Sequence, residues 1–215
     1  MLLGGCSEGG DKMKIVFLHG LGQRAADWDQ VASQFSNTDC PELFEIAGEK
    51  LNYSAILSSL EERYEYEKEP LCLCGLSLGG MLALDYALRH GDRVAAMVLL
   101  GARDRTPRLL MDIQDLMFRC MPDKAFASTG MKKEQVRDLT RSMKNLDFTD
   151  RLSTIHCPVT VACGAKDSPN LAAARRLAKY LPNARLYAVP HAGHELNTDA
   201  PDTVAEMVRE SFDRL

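Results

Sequence analysis

Apolar positions along the chain follow two rhythms. Lys14-Ile15-Val16-Phe17-Leu18, Leu71-Cys72-Leu73-Cys74, Val94 to Leu100 and Pro158 to Cys163 are short continuous apolar runs, the pattern of strands buried on both faces. Arg185 to Val189 reads as a last strand, and Pro41 to Ile46 as a further strand after the first. Between these runs the spacing turns helical. Asp27 to Phe35 sets Trp28, Val31, Ala32 and Phe35 on one face. Asn52 can cap a helix to about Lys68 that turns Ile56, Leu57, Leu60 and Tyr64 inward; its Glu-rich end is solvated and Pro70 stops it. Leu78 to His90 follows, closed by Gly91. Leu171 to Leu181 and Asp202 to Leu215 are the last helices, the latter with Val204, Met207, Val208 and Phe212 inward. Strand and helix in alternation predict an α/β fold, a mostly parallel sheet of about six strands covered by helices on both faces.

One stretch breaks the alternation. Residues 103–150 hold no convincing strand, and Leu109, Leu110, Ile113, Leu116, Met117 and Cys120 make a helical stripe. A second helix is expected over Lys132 to Leu146, so the stretch reads as a small helical lid inserted in a domain spanning residues 13–215. Residues 1–12 read as a disordered extension, with the first structured run opening at Met13.

Charge and cysteine usage narrow the partners. A net charge of -4 argues against nucleic acid, which needs a concentrated basic surface. No apolar run approaches the roughly 18 residues of a membrane-spanning helix. Seven cysteines, an odd number with no CxxC pair, suit buried reduced thiols and a cytoplasmic setting better than disulfides or a metal site. Residues 103–150 carry ten Lys plus Arg against eight Asp plus Glu, near +2, while the rest of the chain is near -6. That imbalance hints at an acidic acyl substrate. Met111, Met117, Met121, Met131 and Met143, five of the ten methionines, fall in the same stretch and suit an adaptable apolar wall as well as ordinary packing.

The candidate chemistry centres on Gly75-Leu76-Ser77-Leu78-Gly79, set between a buried strand and a helix. A tight strand-to-helix turn needs glycine two residues either side of Ser77, because side chains there would collide. It lifts the hydroxyl above the sheet edge, beside a helix N-terminus. The bland alternative is a glycine-rich turn with a passive serine. A hydroxyl becomes a useful nucleophile when a base takes its proton. His194, in Ala192-Gly193-His194-Glu195 after the last strand, is the favoured base, and His191 is its rival. His90 reads as helix-end charge compensation and His156, before Pro158, as structural. A carboxylate must hold the imidazole in the right tautomer. Asp167, in Gly164-Ala165-Lys166-Asp167 at a strand C-terminus, is the candidate; it could instead cap the next helix, and Asp104 is the alternative acid. The backbone N–H groups of Leu78 and Leu21 are candidates for an oxyanion hole. His19, just before that loop, can equally be a strand-end hydrogen-bonder.

Together these segments resemble the α/β-hydrolase superfamily over about Met13 to Leu215. The resemblance rests on Leu18-His19-Gly20-Leu21-Gly22, Gly75-Leu76-Ser77-Leu78-Gly79-Gly80, Cys157-Pro158-Val159 through Gly164-Ala165-Lys166-Asp167, and Ala192-Gly193-His194. Within it the chain looks like the small lidded hydrolases that include carboxylesterases, enol-lactonases and menaquinone-pathway enzymes. The resemblance implies a Ser77-Asp167-His194 triad, no metal or organic cofactor, and a small ester or thioester substrate cleaved through an acyl-enzyme. Acyl transfer, C–C bond chemistry and non-catalytic ligand binding are the alternatives on the same fold. The family's usual first hairpin and the glycine-rich segment after its second strand are unmatched; Ala47-Gly48-Glu49-Lys50 stands at the latter place.

Overall fold

A computed structural model describes residues 13–48 and 51–215; the side chains of Leu110 and of residues 127–129 lie outside that description, as does the whole extension 1–12. Six strands form one parallel sheet in the order β2-β1-β3-β4-β5-β6. They are β1 (Ile15–Leu18), β2 (Thr38–Asp39), β3 (Leu71–Leu76), β4 (Val94–Leu100), β5 (Val159–Gly164) and β6 (Ala184–Val189). The helices are α1 (Asp29–Ala32), α2 (Leu43–Ile46), α3 (Tyr53–Arg63), α4 (Leu78–Arg89), α5 (Arg108–Cys120), α6 (Lys133–Ser142), α7 (Ser168–Tyr180), α8 (Leu196–Asp199) and α9 (Pro201–Phe212), with short 3-10 turns between several of them.

Side chains alternate across each strand, so the two faces of the sheet feed two cores. Val16 and Leu18 of β1, Leu71 and Leu73 of β3, and Met97 and Leu99 of β4 join Leu57 of α3, Leu82 of α4 and Leu177 of α7. Ile15, Phe17, Cys72, Cys74, Ala96 and Val98 point the other way, onto Val31 of α1 and Val204 and Val208 of α9. The central strands therefore need apolar residues at every position, which is why they read as unbroken runs.

Three expectations are corrected. Pro41 to Ile46 is not a strand. The second strand is the two-residue Thr38–Asp39, paired through Ile15↔Thr38 and Val16↔Asp39. Pro41 has no N–H for a ladder, and the Leu43 N–H is drawn to His19 Nε2 at 3.0 Å as α2 begins. Gly91 does not close α4 in a left-handed turn; His90 ends the helix with φ -133°, and Gly91 opens a 3-10 turn. The stripe on α5 faces outward, with Leu109, Ile113, Leu116 and Met117 exposed. The cysteines are mixed. Cys72, Cys74 and Cys163 are buried free thiols, Cys40 and Cys157 are half-buried, and Cys120 is exposed.

Candidate active site

β3 ends at Leu76, and the chain turns directly into α4 with Ser77 at φ 52°, ψ -108°. A non-glycine residue with positive φ costs about 1–3 kcal/mol and persists where its surroundings impose it. Here they do. The Ser77 N–H donates to Leu100 O at 2.8 Å, and its carbonyl accepts from the Met81 N–H at 3.0 Å. A Cβ at Gly75 would overlap the Gly79 backbone, and one at Gly79 would overlap the Leu18 carbonyl. The glycines let β1, β3 and α4 approach at the elbow.

His194 lies between β6 and α8. Its Nδ1 is 2.6 Å from Asp167 Oδ2, a distance that belongs to a charge-assisted hydrogen bond. Donation from Nδ1–H to the carboxylate leaves Nε2 as the free base. Asp167 follows β5 and opens α7, yet its carboxylate does not cap that helix. Both its oxygens instead accept from Asn170 Nδ2, at 2.9 and 2.8 Å. Asn170 Oδ1 in turn accepts from Arg103 Nε at 2.6 Å. Arg103, Asn170, Asp167 and His194 thus form one chain of contacts.

Ser77, Leu78, Leu21, His194, Asn170, Arg103 and Thr106 line one cavity of about 190 Å³, with Met81, Met111, Gln114, Thr140 and Met143 completing it. Among the described residues, no backbone carbonyl accepts from the N–H of Leu21 or Leu78. The structure therefore brings together on one cavity wall four of the five residues singled out by sequence, with the fifth, Asp167, directly behind His194. It does not bring in the rivals. His191 is exposed, with φ 63°. Asp104 is buried and held bidentately by Arg176, at 3.0 and 2.7 Å. His90 contacts Glu61 at 3.0 Å, and His156 is exposed on the far side of β5.

His19 is fully buried at the end of β1. Its Nδ1 meets Gly20 O and its Nε2 accepts from the Leu43 N–H, both at 3.0 Å. Burial is the main cause that lowers its pKa, so the 3.9 Å approach of Glu42 is not a charge pair. Asn170 and Arg103 were not apparent from sequence. Asn170 is one polar residue in a helix first turn, and the only signal was its place three residues after Asp167. Among the described residues no group of three or more His, Cys, Asp or Glu side chains is placed to hold a metal ion, and no helix is long and apolar enough to cross a membrane.

A parallel sheet whose third strand turns through a strained serine into a helix, with a histidine and a carboxylate at the ends of later strands, defines the α/β-hydrolase class. The chain belongs to the alpha/beta hydrolase family, whose pattern it matches over residues 15–207. It is 26% identical to a pimeloyl-[acyl-carrier protein] methyl ester esterase of Nitrosomonas europaea, covering 86% of this chain and 90% of that protein. It is 24% identical to the enzyme of the same name from Chromobacterium violaceum, covering 84% and 86%. Among solved structures, the enol-lactonase from Burkholderia xenovorans LB400 superposes with a TM-score of 0.79 at 18% identity, covering 96% of this chain and 94% of that one.

Proposed function

We propose that this protein is a serine hydrolase that cleaves a small carboxylic ester or thioester. The observation that carries the reading is the 2.6 Å contact of His194 Nδ1 with Asp167, on the cavity that Ser77 opens into. His194 Nε2 takes the Ser77 proton as Oγ attacks the acyl carbon, and Asp167 stabilises the imidazolium. The developing oxyanion draws on the Leu21 and Leu78 N–H groups, the second at the positive end of α4. Protonated His194 then gives its proton to the departing alkoxide or thiolate. The acyl-Ser77 ester is hydrolysed by a water that His194 deprotonates. The names of the two esterase relatives favour ester cleavage over the acyl-transfer and C–C alternatives.

A fluorophosphonate probe tests the nucleophile. It is expected to label the wild type and not Ser77→Ala; labelling that persists in Ser77→Ala rejects the assignment. With p-nitrophenyl acetate, Asp167→Asn is expected to lower kcat about 10⁴-fold, because the amide would hold the wrong imidazole tautomer. Product analysis with and without an added alcohol separates hydrolysis from transfer.

A further inference from the structure

The catalytic cavity does not end at Arg103 and Thr106. Both residues also line a second cavity of about 430 Å³, bounded by Arg105, Pro107, Arg108, Lys144, Leu146, Asp147 and Arg176 among others. Five cations border this second space. Arg176 is held by Asp104, and Lys144 by Asp112 at 2.6 Å. Asp147 faces Arg105, but its Oδ1 already accepts from the Thr149 N–H at 3.0 Å and hydroxyl at 2.6 Å. Three carboxylates against five cations leave two positive charges in a concave site. Among the described residues, Arg103, Arg105 and Arg108 have no carboxylate within ion-pair distance. Arg103 is half-buried, and its Nε donates to the neutral Asn170 amide. Burial lowers its pKa; Asp167, reached through Asn170, and Asp104 oppose that shift from beyond ion-pair distance, so the guanidinium keeps room for a directly paired anion. The first turn of the thirteen-residue α5 opens on the same space through Pro107 and Arg108, adding the positive end of its dipole.

We propose that this second cavity binds an anionic group of the substrate, a carboxylate or phosphoryl, while the ester lies over Ser77 in the adjoining cavity. The substrate class is then an ester whose acyl or alcohol part ends in a charged group, long enough to pass Arg103. This inference rests on the esterase reading for the ester half alone.

Monomethyl adipate, with one ester and one carboxylate, is compared with the neutral dimethyl adipate in the wild type and in R105Q/R108Q. The readout is the ratio of the two kcat/KM values, so a general loss of folding or chemistry cancels. The wild type is expected to favour the monoester at least tenfold, an advantage that shrinks in 0.5 M NaCl, and R105Q/R108Q to lose most of it. Equal turnover, a preference for the diester, or a preference that survives in R105Q/R108Q overturns the proposal. If neither adipate ester is turned over, turnover of p-nitrophenyl acetate decides whether the esterase reading has failed as well, and the cationic site is read alone, by calorimetry with adipate and with inorganic phosphate. Salt-sensitive binding of either, weakened at least tenfold in R105Q/R108Q, supports the site, and the tighter of the two names the group. No binding of either overturns it.

Discussion

An alanine at position 101 would test how closely the imidazole is supported. Gly101 follows β4 with φ 54°, and a Cβ there would stand 3.0 Å from both Cε1 and Nδ1 of His194. The residue is the floor under the ring, and the ring must stay in contact with Asp167 at 2.6 Å. Gly101→Ala carries two costs: roughly 1 kcal/mol for an L-residue in the left-handed region, and displacement of His194. A shift of about 1 Å in a catalytic group can cost ~10²-fold in rate. The expected result is a fall in kcat of that order on p-nitrophenyl acetate, with only a modest fall in the urea midpoint. Loss of stability with kcat unchanged would mean that the imidazole does not rest on residue 101. Nothing in the sequence marks Gly101, since its partner arrives from the far end of the chain. Gly75 was legible because the group it makes room for is the backbone of its own turn, and Gly79, which makes room for the Leu18 carbonyl of β1, because it stands in the same five-residue pattern around Ser77. The same contrast separates Ser77 and His194, which sit in recognisable local patterns, from Asn170 and Arg103, whose meaning comes from a contact between loops.

At the scale of elements, α5 shows what periodicity can and cannot settle. The spacing of Leu109, Ile113, Leu116 and Met117 predicts a helix, and a helix forms over Arg108–Cys120. Yet these four side chains are 73%, 48%, 59% and 59% exposed. The inward side is Met111, Gln114, Asp115 and Phe118. Met111 and Gln114 reach the cavity at Ser77, Asp115 pairs with Arg137 at 2.9 Å and Arg141 at 3.1 Å on α6, and Phe118 meets Phe126 edge-on at 5.5 Å. A stripe gives the axis and phase of a helix. Which side is buried depends on what α6 offers, and α6 offers arginines. The central strands carry no such ambiguity, because both their faces are buried and any phase is apolar. Ile113→Glu is therefore expected to change stability by less than about 0.5 kcal/mol, as surface changes do. Leu139→Ala, on the fully buried face of α6, is expected to cost about 2–5 kcal/mol. Urea unfolding of the two variants checks the orientation, and a large loss from Ile113→Glu would reverse it.

Across the whole molecule, the parts of the proposed site come from opposite ends of the chain and are tied by buried polar contacts. The Gly20 N–H donates to Gln23 Oε1 at 3.3 Å, Gln23 Nε2 donates to Asn197 Oδ1 at 3.1 Å, and Asn197 Nδ2 donates to Asp27 O at 3.0 Å. The loop with Leu21 is thereby fixed to the segment just after His194. His19 anchors the other side of that loop, and its bonding makes the anchor sensitive to acid. Nε2 accepts from the Leu43 N–H, so a proton on Nε2 would set one N–H against another in a site without water access. Burial is the largest cause holding the His19 pKa down; the hydrogen bond with Gly20 O, then Glu42 and Asp27, oppose it and Arg24 adds to it. The unfolded chain has the ordinary value of about 6.5. Below that pH the unfolded state takes up a proton that the folded state refuses, so it binds more protons and stability falls as pH falls. The loss begins near pH 6.5 and levels off below the folded pKa. Urea unfolding at pH 8 and pH 5.5 is expected to show a weaker wild type at the lower pH, and a smaller difference in His19→Gln, which keeps a polar side chain but cannot titrate. The two proteins differ at this one position, so the difference between their pH dependences isolates His19. An identical pH dependence in the two would mean that the first loop is held without regard to the charge of His19, and that the coupling of fold to site runs through Gln23 and Asn197 instead.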